Sequence, residues 1–222
     1  DAYRDAQLFF YPFPQHVRQK GAFCMVEGYP FIFLNTHLGD EEKRAVDVVT
    51  RSICGLPRQM AAYAPCGAFP EGPNYWAYAT EHNAVAIELL TSVLGFDEGL
   101  SALPGFAGTA DFIEVTTGPT GQPFNFSDNH PTRGAGPAIW WFARRFGRPD
   151  LPERFERTAL EKALGTPGFK STLLPLALLW MREEDAPANA LPLAWNSEGT
   201  NPFAVQRSGW GRDDLFVGLK AG

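Results

Sequence analysis

The chain has little cysteine, little histidine and no long apolar run, and each shortage excludes a class of protein. Three cysteines among 222 residues (Cys24, Cys54 and Cys66) leave at least one thiol unpaired and fit no zinc-ligand spacing. They read as small buried apolar residues, with no metal and no cofactor expected. The longest apolar run, Thr172 to Met181, is interrupted by Pro175 and is too short to cross a bilayer. Positive charge is also scarce. Nineteen Lys and Arg stand against twenty-five Asp and Glu, a net charge of −6, which argues against a general nucleic-acid surface. The one basic concentration, Arg133, Arg144, Arg145 and Arg148, reads as a solvated helix face. No basic, apolar, cleavable leader opens the residues given, and the abrupt start predicts an upstream portion.

What is abundant is apolar and aromatic: 45% and 14% of residues, enough for a substantial core in one domain, or one domain and a fragment. Asp40 suits a helix N-cap, so a helix is expected from Glu41 to about Cys54, kinked at Pro57 and continuing to Tyr63. Pro65, Gly67, Pro70, Gly72 and Pro73 then force a loop. Apolar residues at three and four spacings from Tyr75 to Leu94 predict a helix that stops at Gly95. Phe112, Ile113 and Val115 let Thr109 to Thr117 fit either a short helix or a strand, with helix the favoured reading, and Gly118 to Gly136 fits a long ordered loop around Phe124 and Phe126. Further helices are expected over Pro137–Phe146, Pro152–Leu164 and Ser171–Met181. Alternation then predicts a hairpin of two strands, Pro202–Ser208 and Leu215–Lys220. These boundaries give a helical domain over 1–185, a linker over 186–199 and a β element over 200–222.

The loop-to-helix junction gathers Glu71, Tyr75 and Tyr78, and such junctions hold polar side chains rigidly in reach of solvent. The same residues also suit a first helical turn and its packing. Around them stands a distinctive run, Gly67-Ala-Phe-Pro-Glu-Gly-Pro-Asn-Tyr-Trp-Ala-Tyr78. It resembles the signature of the heparinase II/III-like polysaccharide lyases, a superfamily that includes alginate and oligoalginate lyases. Similar pieces follow in the same order: Pro104-Gly-Phe106, Thr117 to Asp128, Arg207-Ser-Gly-Trp210 and Leu215 to Gly222.

The resemblance implies a mainly α protein: an incomplete α/α toroid of antiparallel helical hairpins, followed by the first strands of an antiparallel β-sandwich whose remainder is missing. It implies cleavage of uronate-containing polysaccharide by β-elimination, without cofactor, in a periplasmic or secreted setting. Tyr75, or alternatively Tyr78, is then the proton-transferring phenol, with His130 the polar histidine candidate. Glu71, Trp76, His82, Asn125 and Arg133 are expected to contact substrate. The amide or imidazole that relatives place ahead of the tyrosine falls on Gly21, so Gln19 or Lys20 is the expected replacement. Two other readings stand beside it. One is a non-catalytic glycan-binding toroid with Tyr75, Trp76 and Tyr78 as stacking platforms. The other is a glycoside hydrolase pairing Glu71 with Asp111 or Asp128, whose mechanism needs two carboxyl groups about 5–10 Å apart.

Overall fold

The computed structural model describes residues 42–131, 136–153, 155–166, 173–181, 191–199 and 202–221. Among them are six α-helices and one three-stranded antiparallel sheet. The helices are α1 (Glu42–Met60), α2 (Pro73–Leu94), α3 (Thr109–Val115), α4 (Ala138–Phe146), α5 (Glu156–Leu164) and α6 (Leu176–Trp180). The strands are β1 (Ala194–Asn196), β2 (Phe203–Arg207) and β3 (Phe216–Lys220). The described residues fall into two compact units, one within residues 1–62 and 82–103 and the other within residues 63–81 and 104–222.

In the first unit, α1 continues through Pro57 as one helix. Proline lacks only the hydrogen bond its own N–H would make, and the flanking turns retain theirs. Leu56 and Met60 of α1, and Ala84, Ala86, Ile87 and Leu90 of α2, are buried. Asp97 organises the turn that follows α2, its carboxylate accepting from the backbone N–H groups of Gly99 and Ser101. Gly95 adopts φ +83° and ends α2, as its position in the sequence predicts.

The second unit is an aromatic core. Tyr63, Phe69, Phe106, Trp141 and Phe142 are fully buried, and Phe106 packs against Tyr63 and Phe142 with ring centroids 5.2 and 5.1 Å apart. Such pairs contribute about 0.5–1.5 kcal/mol each beyond their buried area. A second cluster joins Phe112 of α3 to Phe203 of β2, Phe126 and Trp195. Phe126 is therefore a packing residue, as its loop position suggests.

The hairpin is present, but it is not alone. β1 lies inside the stretch read as linker and pairs with β2 in the register Trp195 to Val205, while β3 pairs on the other side in the register Gly218 to Val205. Three residues carry too little alternation to announce a strand, so the pairing is a tertiary decision. Along β2 the side chains of Phe203, Val205 and Arg207 turn inward. Arg207 is buried and still satisfied: its guanidinium donates to the carbonyls of Val115 and Thr117, and lies 3.5 Å from the Trp210 ring centroid.

Other expectations are corrected. Cys54 is exposed and Cys66 half-buried, so neither is a buried core thiol; Cys24 lies outside the described residues. Arg148 does not belong to a solvated face, because it binds Asp150 and Asp111, at 2.8 and 3.1 Å. Leu151–Glu153 forms a 3-10 turn ahead of α5, which starts at Glu156, and α6 is limited to five residues.

Gly105 and Gly121 both have positive φ, but a Cβ on Gly105 would lie 2.0 Å from the Tyr63 carbonyl oxygen, whereas one on Gly121 would meet open space. Gly121→Ala should cost about 1 kcal/mol for the left-handed backbone alone. Gly105→Ala should cost at least 2 kcal/mol more in the same chemical-denaturation experiment, because backbone must move.

Candidate functional site

Residues 63–81 pass from irregular backbone into α2, and a chain of buried hydrogen bonds fixes that passage. The indole Nε1–H of Trp76 donates to the Thr109 hydroxyl, 2.8 Å away, and that hydroxyl donates to the Gly67 carbonyl. Tyr63 and Thr80 share a further buried hydroxyl contact of 2.9 Å. Trp76 is 2% exposed, so it cannot serve as a sugar-stacking platform; its ring and its N–H are both committed to the core. This corrects the expectation for Trp76, which stands one helical position beyond the half-exposed Tyr75.

Pro73 starts α2, where its missing N–H costs nothing. The next N–H, of Asn74, donates to the Asn129 side-chain oxygen at 2.7 Å, so a residue of the long loop caps the helix. Gly72, with φ +92°, admits this loop: a Cβ there would sit 2.8 Å from the Phe126 carbonyl oxygen. Glu71 and Asp128 are brought together in the same way. Burial, and secondly the Asp128 charge, raise the Glu71 carboxyl above the usual carboxylate range. Glu71 Oε2 and Asn129 Nδ2 are both buried without a hydrogen-bond partner.

Tyr75 and Tyr78 are half-exposed, and His130 is exposed beyond Asn129 in the loop. Glu71, Tyr75, Tyr78, Asp128 and Asn129 thus belong to one neighbourhood at the start of α2. His82 is buried further along α2, in the first unit, and is not presented to solvent. Asn125 is exposed but lines a different feature, an open cleft of about 660 Å³ between the 118–125 loop and the β2–β3 hairpin. Gln19, Lys20, Gly21 and Arg133 lie outside the described residues. Asp111, one proposed partner for Glu71, is held by Arg148.

No family model and no curated protein matches this chain. Residue chemistry and geometry therefore carry the functional argument. Among the described residues there is no group of three or more His, Cys, Asp and Glu able to hold a metal ion, and no helix long and apolar enough to cross a membrane.

Sequence reasoning passed over a second carboxyl pair. Glu81, on α2, and Glu156, at the start of α5, both line a small cavity of about 30 Å³ with Trp76 and Ile139. Glu156 accepts from the Gly136 N–H at 2.7 Å, and a Cβ on Gly136 would overlap Glu81 Oε1 at 1.9 Å. Glu81 as a residue is half-buried, with its carboxyl lodged at this enclosed end. Burial, and then the Glu156 charge, push that carboxyl up to about 8. Glu81 and Glu156 are 75 positions apart in the chain, and nothing in the local pattern of either one signals the other.

The folded-state value lies above the unfolded one of 4.5, so Glu81 contributes its full stability below about pH 4.5 and loses it as pH rises toward 8. Glu81→Gln should remove this component, and its melting temperature relative to the parent should climb steadily from pH 5 to pH 8. A pH-independent difference would contradict the assignment.

Proposed function

We propose that this protein is a polysaccharide lyase-like protein acting on uronate-containing glycans by β-elimination, with Tyr75 as its proton-transferring phenol. The observation that carries the reading is the capped start of α2, where Asn129 accepts from the Asn74 N–H and Glu71, raised by burial and the Asp128 charge, lies one helical turn ahead of the half-exposed Tyr75 in the chain. The resemblance of Gly67 to Tyr78 to the heparinase II/III-like signature supports it. So does a chain that is mainly helical and closes on a small antiparallel sheet. In this reading the helices belong to an incomplete α/α toroid, the sheet opens a β-sandwich, and the protein works in the periplasm or outside the cell.

In β-elimination a base removes the proton at C5 of the uronate. The released electron pair forms the C4–C5 double bond as the C4–O4 bond breaks, and an acid protonates the departing O4. The negative charge grows on the substrate carboxylate, and donors placed there lower the barrier. In this reading the half-exposed phenol of Tyr75 supplies or takes the proton, and the Glu71 carboxyl, raised by burial and then by the Asp128 charge, belongs to the same helix start. Tyr78 and His130 are the remaining proton carriers of the neighbourhood.

A hydrolase reading survives in one form. Glu71 and Asp128 are close enough for the charge of one to raise the other, which is how paired carboxyl groups divide the roles of acid and base.

The two readings give different products from alginate or heparan sulfate. Lyase action produces ultraviolet absorbance from the new double bond; hydrolysis produces reducing ends without it. The absorbance rate should fall about 10²–10⁴-fold in Tyr75→Phe, the usual worth of a positioned proton donor. Circular dichroism should be unchanged because the phenol is not in the core. Parental turnover in Tyr75→Phe would end the assignment of that residue.

A further inference from the structure

One cavity formed by the described residues has neither Glu71 nor Tyr75 in its lining. It is the open cleft of about 660 Å³ between the 118–125 loop and the tip of the β2–β3 hairpin. Its volume lies within the roughly 300–1,000 Å³ typical of small-molecule sites. Both walls are held firmly. On the loop side, Phe124 N–H donates to the Thr116 carbonyl at 2.6 Å, Gly118 N–H to the Gln122 carbonyl at 2.7 Å, and Thr117 bridges to Pro123. On the hairpin side, Asp214 accepts from the Ser208 hydroxyl and the Gly211 N–H, at 2.8 and 2.6 Å. The buried Arg207 joins hairpin to helix end through the Val115 and Thr117 carbonyls.

Between these walls the side chains divide into two kinds. Phe124 and Phe216 are aromatic and half-buried; Phe124 lies so close to β3 that a Cβ on Gly218 would sit 2.8 Å from its ring. Thr120, Gln122, Asn125, Arg212 and Asp213 are polar and exposed, and among the described residues their side chains make no hydrogen bond or ion pair. Asp214, by contrast, is fully used in holding the hairpin. The turn therefore separates one structural carboxylate from two neighbouring charged side chains that do nothing for the fold.

We propose that this cleft is a binding site for an acidic oligosaccharide, separate from the Tyr75 neighbourhood. Aromatic faces accept the C–H faces of sugar rings. Amide, hydroxyl and carboxylate groups together, both donors and acceptors, match alternating ring hydroxyls. Arg212 is the single cation among the described residues of the lining, and its planar fork suits a uronate carboxylate. A polyphosphate or nucleic acid would need several cations here and would be repelled by Asp213. The inference extends the uronate reading by giving the glycan a second hold on the protein. It does not depend on which residue transfers the proton.

The test is to titrate a uronate tetrasaccharide from alginate into the Tyr75→Phe protein, so that turnover does not consume it, and follow backbone amide NMR shifts. The expected result is that shifts concentrate in 118–125 and 211–218, that Arg212→Ala weakens binding about tenfold, as loss of one charge-assisted pair predicts, and that Arg212→Lys weakens it less. A neutral cello-tetraose should bind the parent as weakly as the uronate binds Arg212→Ala. Shifts confined to other segments, no binding, or a dissociation constant within twofold in Arg212→Ala would overturn the proposal. Ultraviolet product from the unmutated protein without cleft shifts sinks this site and leaves the lyase reading intact. Cleft shifts without such product do the reverse.

Discussion

The hydroxyl of Thr109 is the point on which the second unit turns. It accepts from the Trp76 indole and donates to the Gly67 carbonyl, so one atom ties the irregular segment, the start of α2 and the start of α3 together. No donor or acceptor at this buried point is left over, which matters because an unmatched one would cost about 1–3 kcal/mol. The packing is close enough to require glycine: a Cβ on Gly67 would fall 2.6 Å from the Thr109 nitrogen. Trp76 is consumed by this bond, and its neighbours Tyr75 and Ala77 take the half-exposed positions. The fate of three consecutive side chains is thus set by one hydrogen bond.

A second constraint acts at the opposite end of the same unit. Arg207 brings a full charge into the interior, which is tolerated because two carbonyls and an aromatic face replace its water. It anchors a hairpin whose own three-stranded sheet is small. Since the anchor reaches the residues at which α3 gives way to the 118–125 loop, the hairpin and the loop are held as the two walls of one cleft. Phe124 against Gly218 closes its floor. Side chains are sorted within a few positions here: Ser208 and Asp214 hold the turn, while Arg212 and Asp213 are exposed.

The protein concentrates acidic groups in two places with different consequences. Glu71 is half-buried and Asp128 exposed, and burial together with the Asp128 charge raises the Glu71 carboxyl. Glu81 and Glu156 meet around a cavity of about 30 Å³, too small for a sugar, where the same repulsion acts on the fold instead. Proximity of carboxyl groups is common to both. Access decides between chemistry and stability.

Local chemistry was enough to locate most of the helices. Periodic apolar residues from Tyr75, with Pro73 before and Gly95 after, define α2 without reference to any other segment, and the alternation of β2 and β3 defines a hairpin. Glu71, Tyr75 and Tyr78 could be singled out in the same way, because a loop dense in proline and glycine ends there. What lay beyond the sequence were relations between distant residues: Asn129 capping Asn74, Glu156 facing Glu81, β1 pairing with β2, Trp76 bound to Thr109, and Arg148 taking Asp111 out of contention. Hydrophobic period and backbone restriction act over a few residues and are written into the chain. Burial, pairing and the environment of a charge depend on which segments meet, and only the folded arrangement sets them.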